Sequence, residues 1–203
     1  MKMQLYCSKT SPYSRKVRVA ADELGLADLI EEISTDPFDP PPAFLAANPL
    51  SRIPTLVTER GEALPDSSLI IEYLQTRGRG LISLPRGSKR WATLRREKLA
   101  EGVIDAAVAS VLERRRPESI VYTVFLDRQA AAIQRSIEVL NLEAGVLDAQ
   151  APGNVEITTG VALAYLDFRM PYLDWRNGHD ALAAWFAAFA QRPSMLRTAP
   201  PSA

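Results

Sequence analysis

Apolar positions recur along this chain in two rhythms, and the change of rhythm divides it. Met3 to Cys7 is short and apolar, which suits a buried strand. Tyr13, Val17, Ala20 and Leu24 then follow helical spacing until Gly25 supplies a stop. Leu29 to Ser34 alternates weakly, as a strand does. Asp36 to Pro42 carries four prolines and permits nothing regular beyond a turn. A helical turn over Phe44 to Ala47 leads to Asn48-Pro49. Arg52 to Val57 and Glu62 to Leu64, joined across Gly61, read as a hairpin. Asp66-Ser67-Ser68 starts a helix with Leu69, Ile70, Tyr73 and Leu74 on one stripe. A strand-helix-strand unit followed by a hairpin and a helix describes an α/β layer fold over residues 1–78. Residues 79–87, rich in glycine with Pro85, read as a linker. From 88 to 203 every strong periodicity is helical. The spacing predicts helices over Trp91–Glu113 and Pro117–Ala149, another from Gly153 to Pro171, and a last one over Asp180–Ala190. Gly153 and Glu156 have capping-box spacing, with a glycine that offers no side-chain oxygen.

Composition narrows the function classes. Lys plus Arg and Asp plus Glu each number 24, so the charge is balanced and nothing global favours nucleic acid or an anionic membrane. The basic residues from Arg86 to Lys98 and at Arg114-Arg115-Arg116 interleave with helix-spaced apolar positions, which describes solvated helix faces. One cysteine excludes an intrachain disulfide and fits a reducing cytoplasm. One histidine, His179, argues against a His-based metal site or a catalytic triad, and its place before Asp180 suits a cap or a surface role. No apolar run reaches the ~18 residues a membrane span needs.

Candidate chemistry sits in three stretches. Ser11 precedes Pro12, a residue suited to the first helical turn, so Ser11 caps a helix whose positive end stabilises an anion such as a thiolate. Asp66-Ser67 caps a second helix with the same capacity. Arg52-Ile53-Pro54 leads into a strand; Arg52 reads equally as a solvated loop residue, and Pro54 as an ordinary trans entry. Cys7 reads as a buried strand residue rather than a nucleophile.

In combination these stretches resemble the glutathione transferase superfamily, in its bacterial cytosolic serine-type branch, over essentially the whole chain. Ser11-Pro12-Tyr13-Ser14 stands where the related glutaredoxins have Cys-Pro-Tyr-Cys. Asn48-Pro49-Leu50-Ser51-Arg52-Ile53-Pro54 is similar to the family's Asn-Pro-x-Gly-Lys-Val-Pro, and Asp66-Ser67 before Ile70 and Tyr73 to its Glu-Ser-x-Ala-Ile-x-x-Tyr-Leu. In the second half, Glu101 to Ala107, Glu113 to Pro117, Tyr165 to Arg169 and Arg192-Pro193-Ser194 resemble this branch as well. The resemblance implies a thioredoxin-like N-terminal domain and an all-α helical-bundle C-terminal domain that contributes the electrophile pocket. It implies glutathione as co-substrate, a small hydrophobic electrophile, a homodimer, and no metal. Ser11 would be the catalytic residue, donating to the glutathione sulfur, with Tyr6 as the alternative used by other branches. Pro54 would be cis, and the Ile53 backbone would pair with the cysteinyl unit of the tripeptide. Asp66 and Ser67 would hold the γ-glutamyl end, and Arg52 the glycyl carboxylate. Conjugation is the expected activity. A glutathione-dependent reductase or dehalogenase, and a non-catalytic binding or assembly protein, are the alternatives; reductase chemistry lacks a thiol at Ser11 and Ser14.

Overall fold

The computed structural model describes residues 2–78 and 87–201, and these fall into two compact units. The first joins Met1–Ser83 to Pro193–Ala203; the second is Leu84–Arg192. Most of the expected 79–87 linker lies outside the described residues.

The first unit is a mixed four-stranded sheet with helices. Its elements are β1 (Met3–Cys7), α1 (Pro12–Glu23), β2 (Ile30–Ser34), α2 (Pro42–Ala47), β3 (Thr55–Val57), β4 (Ala63–Pro65) and α3 (Ser67–Gln75). The sheet order is β2-β1-β3-β4. β1 and β2 run parallel because α1 crosses between them, while β3 and β4 form an antiparallel hairpin beside β1. In register, Leu5 lies opposite Leu56, and Leu56 opposite Leu64. Leu5, Leu56, Val17, Ala20, Ile70 and Leu74 are all buried, so the sheet and the packed pair α1 and α3 share a core. Tyr6 points to the other face, where its ring meets Phe44 of α2 at 5.3 Å. This is the thioredoxin-like arrangement the resemblance implied, and it matches the α/β element order.

The second unit contains α4 (Ser88–Glu113), α5 (Thr123–Leu142), α6 (Asn154–Arg169) and α7 (Asp180–Phe189). α4 packs on both α5 and α6, and α5 on α7, burying Val103, Ile104, Ile137, Ile157, Val161 and Phe189. The helix expected over Pro117–Ala149 is shorter. Pro117 holds an extended ψ of 135°, a 3-10 turn over Glu118–Ile120 follows, and α5 then ends before a second such turn at Ala144–Val146. The buried stripe Ile133, Ile137, Leu140 nevertheless lies on α5 as the spacing requires. Glu156 accepts the Gly153 N–H at 2.8 Å, so the capping box is half made, as a glycine cap allows. The Arg95 and Arg96 guanidiniums both engage Glu143, and these hydrogen bonds, Arg95 first, hold its carboxyl below the usual range. Part of the basic cluster is thus neutralised within the bundle. Among the described residues no helix is long and apolar enough to cross a membrane.

The periodicity did not reveal α8 (Pro193–Arg197), which belongs to the first unit and packs on α1. Five residues are too few for a periodic signal. Arg15 is buried on α1 and donates to the Met195 carbonyl (3.1 Å) and to Thr198 Oγ1 (3.4 Å). Burial, then the neighbouring Arg18, pushes the Arg15 guanidinium down to about 10. Arg18 adds a bond to the Thr198 carbonyl (3.3 Å). Ser194, at the start of α8, donates to Glu23 (2.5 Å), and Arg197, at its end, pairs with Asp22 (2.7 Å). Glu23 thus lies at the start of α8 and the basic Arg197 stands in its last turn, as the helix dipole favours. A chain ending at Arg192 should lose about 3 kcal/mol, because a buried guanidinium forfeits its acceptors and Met195 its packing. We expect its thermal midpoint to drop by ~6–12 °C; a change within ~1 °C would show that α8 contributes nothing.

Candidate functional site

The register of the sheet fixes where the candidate residues meet. Tyr6 lies opposite Thr55, and Thr55 opposite Pro65. Stepping one residue along each strand brings the C-terminal end of β1, the Ile53-Pro54 entry to β3 and the Asp66 exit from β4 side by side at one end of the sheet. Neighbouring strands lie about 4.8 Å apart. The loop carrying Ser11 leaves β1 at that same end. Three stretches far apart in sequence thus converge.

Ser11 is the N-cap of α1, with φ −79° and ψ 124°, and its Oγ accepts the Ser14 N–H at 3.2 Å. A cap of this kind uses one lone pair and leaves the hydroxyl hydrogen available to donate. Pro12 sits at the first helical position, as the sequence suggested. Ser14 is buried and its Oγ accepts the Ser8 N–H at 3.4 Å, so it supports the turn from within.

The Ile53–Pro54 peptide bond is cis, as the motif implied. The loop before it is tied by Asn48, a buried residue whose contribution the sequence reading overlooked. Asn48 Nδ2 donates to the Arg52 carbonyl (3.0 Å) and to Thr55 Oγ1 (2.9 Å), while its Oδ1 accepts the Leu50 N–H (3.0 Å). Thr55 Oγ1 in turn donates to the Arg52 carbonyl at 2.9 Å. A polar side chain placed between two prolines and followed by a strand was the available signal. Ser51 takes φ 51°, a left-handed conformation, where the family motif has glycine. Arg52 is exposed, and among the described residues it makes no ion pair.

Asp66 caps α3, its Oδ1 accepting the Ser68 N–H at 2.7 Å. It does so at φ 78° and ψ 134°, a region that costs a residue with a Cβ about 1–3 kcal/mol. Such an outlier persists where the surroundings over-determine it, and it turns the chain abruptly from β4 into α3. Ser67 is buried at the first turn of α3, beside N–H groups that have no intrahelical partner.

Three other candidate groups have other roles. The Cys7 thiol is buried, and burial, followed by the charge of Glu32, pushes it up to about 12. Both effects disfavour the thiolate, which argues against a nucleophilic role. Tyr6 packs its ring on Phe44. His179 donates through Nδ1–H to the Trp175 carbonyl (2.8 Å), a structural contact before α7. Among the described residues no group of three His, Cys, Asp or Glu side chains has metal-binding geometry.

The family model of the glutathione S-transferase N-terminal domain matches residues 10–77, and that of the C-terminal domain residues 124–188. The chain belongs to the glutathione S-transferase family. It is 34% identical over 204 residues to the uncharacterized GST-like protein YibF of Escherichia coli K12, covering 99% of this chain and 100% of that protein. Among solved structures it is similar to a glutathione transferase family member from Pseudomonas fluorescens Pf-5 with bound glutathione. There the identity is 37%, the TM-score 0.92, and coverage 99% of this chain and 100% of the other. A structure from the same organism with bound S-(propanoic acid)-glutathione matches at 35% identity and TM-score 0.89, covering 100% of this chain and 99% of the other. Within this transferase family, Ser11, Ile53-Pro54 and Asp66-Ser67 hold the positions of the three motifs that first suggested it.

Proposed function

We propose that this transferase binds glutathione at the end of its sheet and activates the thiol as a thiolate for conjugation to a small electrophile. The observation that carries the reading is the convergence of the three motifs at one sheet end, in a chain 37% identical to a structure holding glutathione. The neighbour with S-(propanoic acid)-glutathione supports the sulfur as the reacting atom. Ser11 donates its hydroxyl hydrogen to the sulfur at the positive end of α1. The Ile53 backbone pairs with the cysteinyl unit as an added strand. The α3 N–H groups and Ser67 hold the γ-glutamyl carboxylate, Asp66 accepts from the γ-glutamyl amine, and Arg52 meets the glycyl carboxylate through its fork. A free thiol has a pKa of about 8.5, so a shift of about two units makes thiolate the major form near neutrality. In the reaction the sulfur lone pair forms the bond to the electrophilic carbon and a leaving group departs with its electron pair. The chain requires no metal for this, acts in the cytoplasm and works as a homodimer.

Calorimetric titration with glutathione tests the reading. We expect micromolar to millimolar affinity in the full chain and a loss of about tenfold in Ser67→Ala, equivalent to one hydrogen bond to a charged group. Absence of any heat of binding would overturn it; binding without turnover of a chloronitroaromatic substrate would leave a binding protein. Light scattering should give a mass of twice 22.4 kDa, and a monomer at micromolar concentration would contradict the dimer.

A further inference from the structure

The Ile53 N–H belongs to the same planar peptide unit as the Arg52 carbonyl. That unit is trans, since among the described residues the one cis bond is the next, Ile53–Pro54. In a trans unit the C=O and the N–H point in opposite directions. Whatever holds the Arg52 carbonyl therefore aims the Ile53 N–H.

Two buried side chains hold it. Asn48 Nδ2 donates to this carbonyl at 3.0 Å and Thr55 Oγ1 at 2.9 Å, which fills both of its lone pairs. Asn48 Nδ2 also donates to Thr55 Oγ1 at 2.9 Å, closing a triangle of hydrogen bonds. Asn48 is 1% exposed and Thr55 0%, so water does not compete for these bonds. The triangle is anchored on two sides. Asn48 ends α2, its N–H donating to the Phe44 carbonyl at 2.8 Å, and its own carbonyl accepts the Ser51 N–H at 3.0 Å. Thr55 lies inside the sheet, opposite Tyr6 of β1 and Pro65 of β4. A further tie, from Ser51 Oγ to the Pro37 carbonyl (3.0 Å), steadies the loop at its left-handed residue. With the carbonyl turned into the triangle, the Ile53 N–H faces away from it, and Ile53 is partly exposed. Among the described residues that N–H donates to no group of the chain. A donor without a partner at a strand entry is what an added strand pairs with.

We propose that Asn48 and Thr55 are positioning residues, which fix the Arg52–Ile53 peptide so that its N–H meets a carbonyl of the glutathione cysteinyl unit. This rests on the transferase reading. Both side chains act through the Arg52 carbonyl and not by touching the tripeptide. Without them the peptide unit can rotate about the bonds that flank it. Binding must then order it again, which weakens affinity for glutathione and leaves the chemistry at the sulfur alone.

The test combines calorimetry with glutathione, turnover of a chloronitroaromatic substrate and amide hydrogen exchange, on the full chain and on Thr55→Val, Thr55→Ser and Asn48→Ala. In the wild type, glutathione should slow exchange of the Ile53 N–H about tenfold or more. Thr55→Val keeps the shape of the side chain and removes the hydroxyl. It should weaken glutathione binding about tenfold and erase most of that protection. KM for glutathione should rise in step, while kcat at saturation and its pH profile stay put, because Ser11 is untouched. Thr55→Ser restores the hydroxyl and should return the affinity to within about twofold of wild type. Asn48→Ala should behave as Thr55→Val does, and it decides the matter if Thr55→Val fails to fold. Unchanged affinity in either Thr55→Val or Asn48→Ala overturns the proposal while glutathione binding itself stands. So does a Thr55→Ser as weak as Thr55→Val, an Ile53 N–H that glutathione leaves unprotected, or a loss that falls on kcat rather than KM. A wild-type chain that binds no glutathione overturns this proposal and the transferase reading together.

Discussion

Ser11→Ala should lower kcat/KM for a chloronitroaromatic substrate about a hundredfold while lowering stability only slightly. The two effects have separate physical sources. Removing the cap leaves the Ser14 N–H without its 3.2 Å acceptor and costs about 1 kcal/mol, or ~2–4 °C in thermal midpoint. Removing the donor to a thiolate costs a further ~1.5–3 kcal/mol of transition-state stabilisation, which is roughly 10- to 150-fold. The pH profile of kcat/KM should also move upward, by about one to two units. Ser11→Asp separates the sources further. Aspartate caps as well as serine, so the stability should return to the wild-type value. Its negative charge beside the sulfur opposes thiolate formation, so activity should stay low. Undiminished turnover in Ser11→Ala, or a pH profile that does not move, would remove Ser11 from the mechanism.

Gly160→Ala should destabilise the chain by about 2–4 kcal/mol, against the preference of helices for alanine. A Cβ at this position would lie 2.3 Å from Phe189 Cε1 and 2.4 Å from Cδ1. The ring cannot swing aside, because Phe189 is fully buried and stacks on Trp185 at 4.9 Å. The glycine is thus a contact surface between α6 and α7. Propensity alone would have alanine gain ~1 kcal/mol, so the sign of the change decides between the two accounts. Phe189→Leu is destabilising by itself but makes room. The double variant should therefore be more stable than the sum of the two single changes, by about 1–2 kcal/mol. Denaturant unfolding of the four proteins measures this, and an alanine variant as stable as wild type would refute the close approach.

Legibility from the sequence followed the length and regularity of each signal. The long apolar stripes gave α4, α5 and α6, and the switch from strand to helical spacing separated the α/β segment from the helical one. Motif context located Ser11, Ile53-Pro54 and Asp66-Ser67, and the cis bond at Pro54 came from that context rather than from periodicity. What stayed hidden depends on partners distant in sequence. Asn48 is one polar residue among prolines until its three hydrogen bonds are visible. α8 is too short to show a period, and its partners Arg15 and Arg18 lie some 180 residues away. Gly160 sits inside a helical pattern as an apparent weakness, and only the Phe189 ring explains it. Arg95 and Arg96 read as solvated charges because their pairing with Glu143 is invisible in a linear chain.

The clamp of α8 onto α1 sets a schedule for synthesis. The α/β unit precedes the helical unit in the chain but is completed by Pro193–Ala203, which follows it. Until the helical unit has been made, Arg15 and Arg18 lack the carbonyls that later receive them, and the α1 surface under Met195 stays wet. Domains ordinarily fold in the order they emerge. Here the α/β unit must wait until the whole helical unit has been made before it closes.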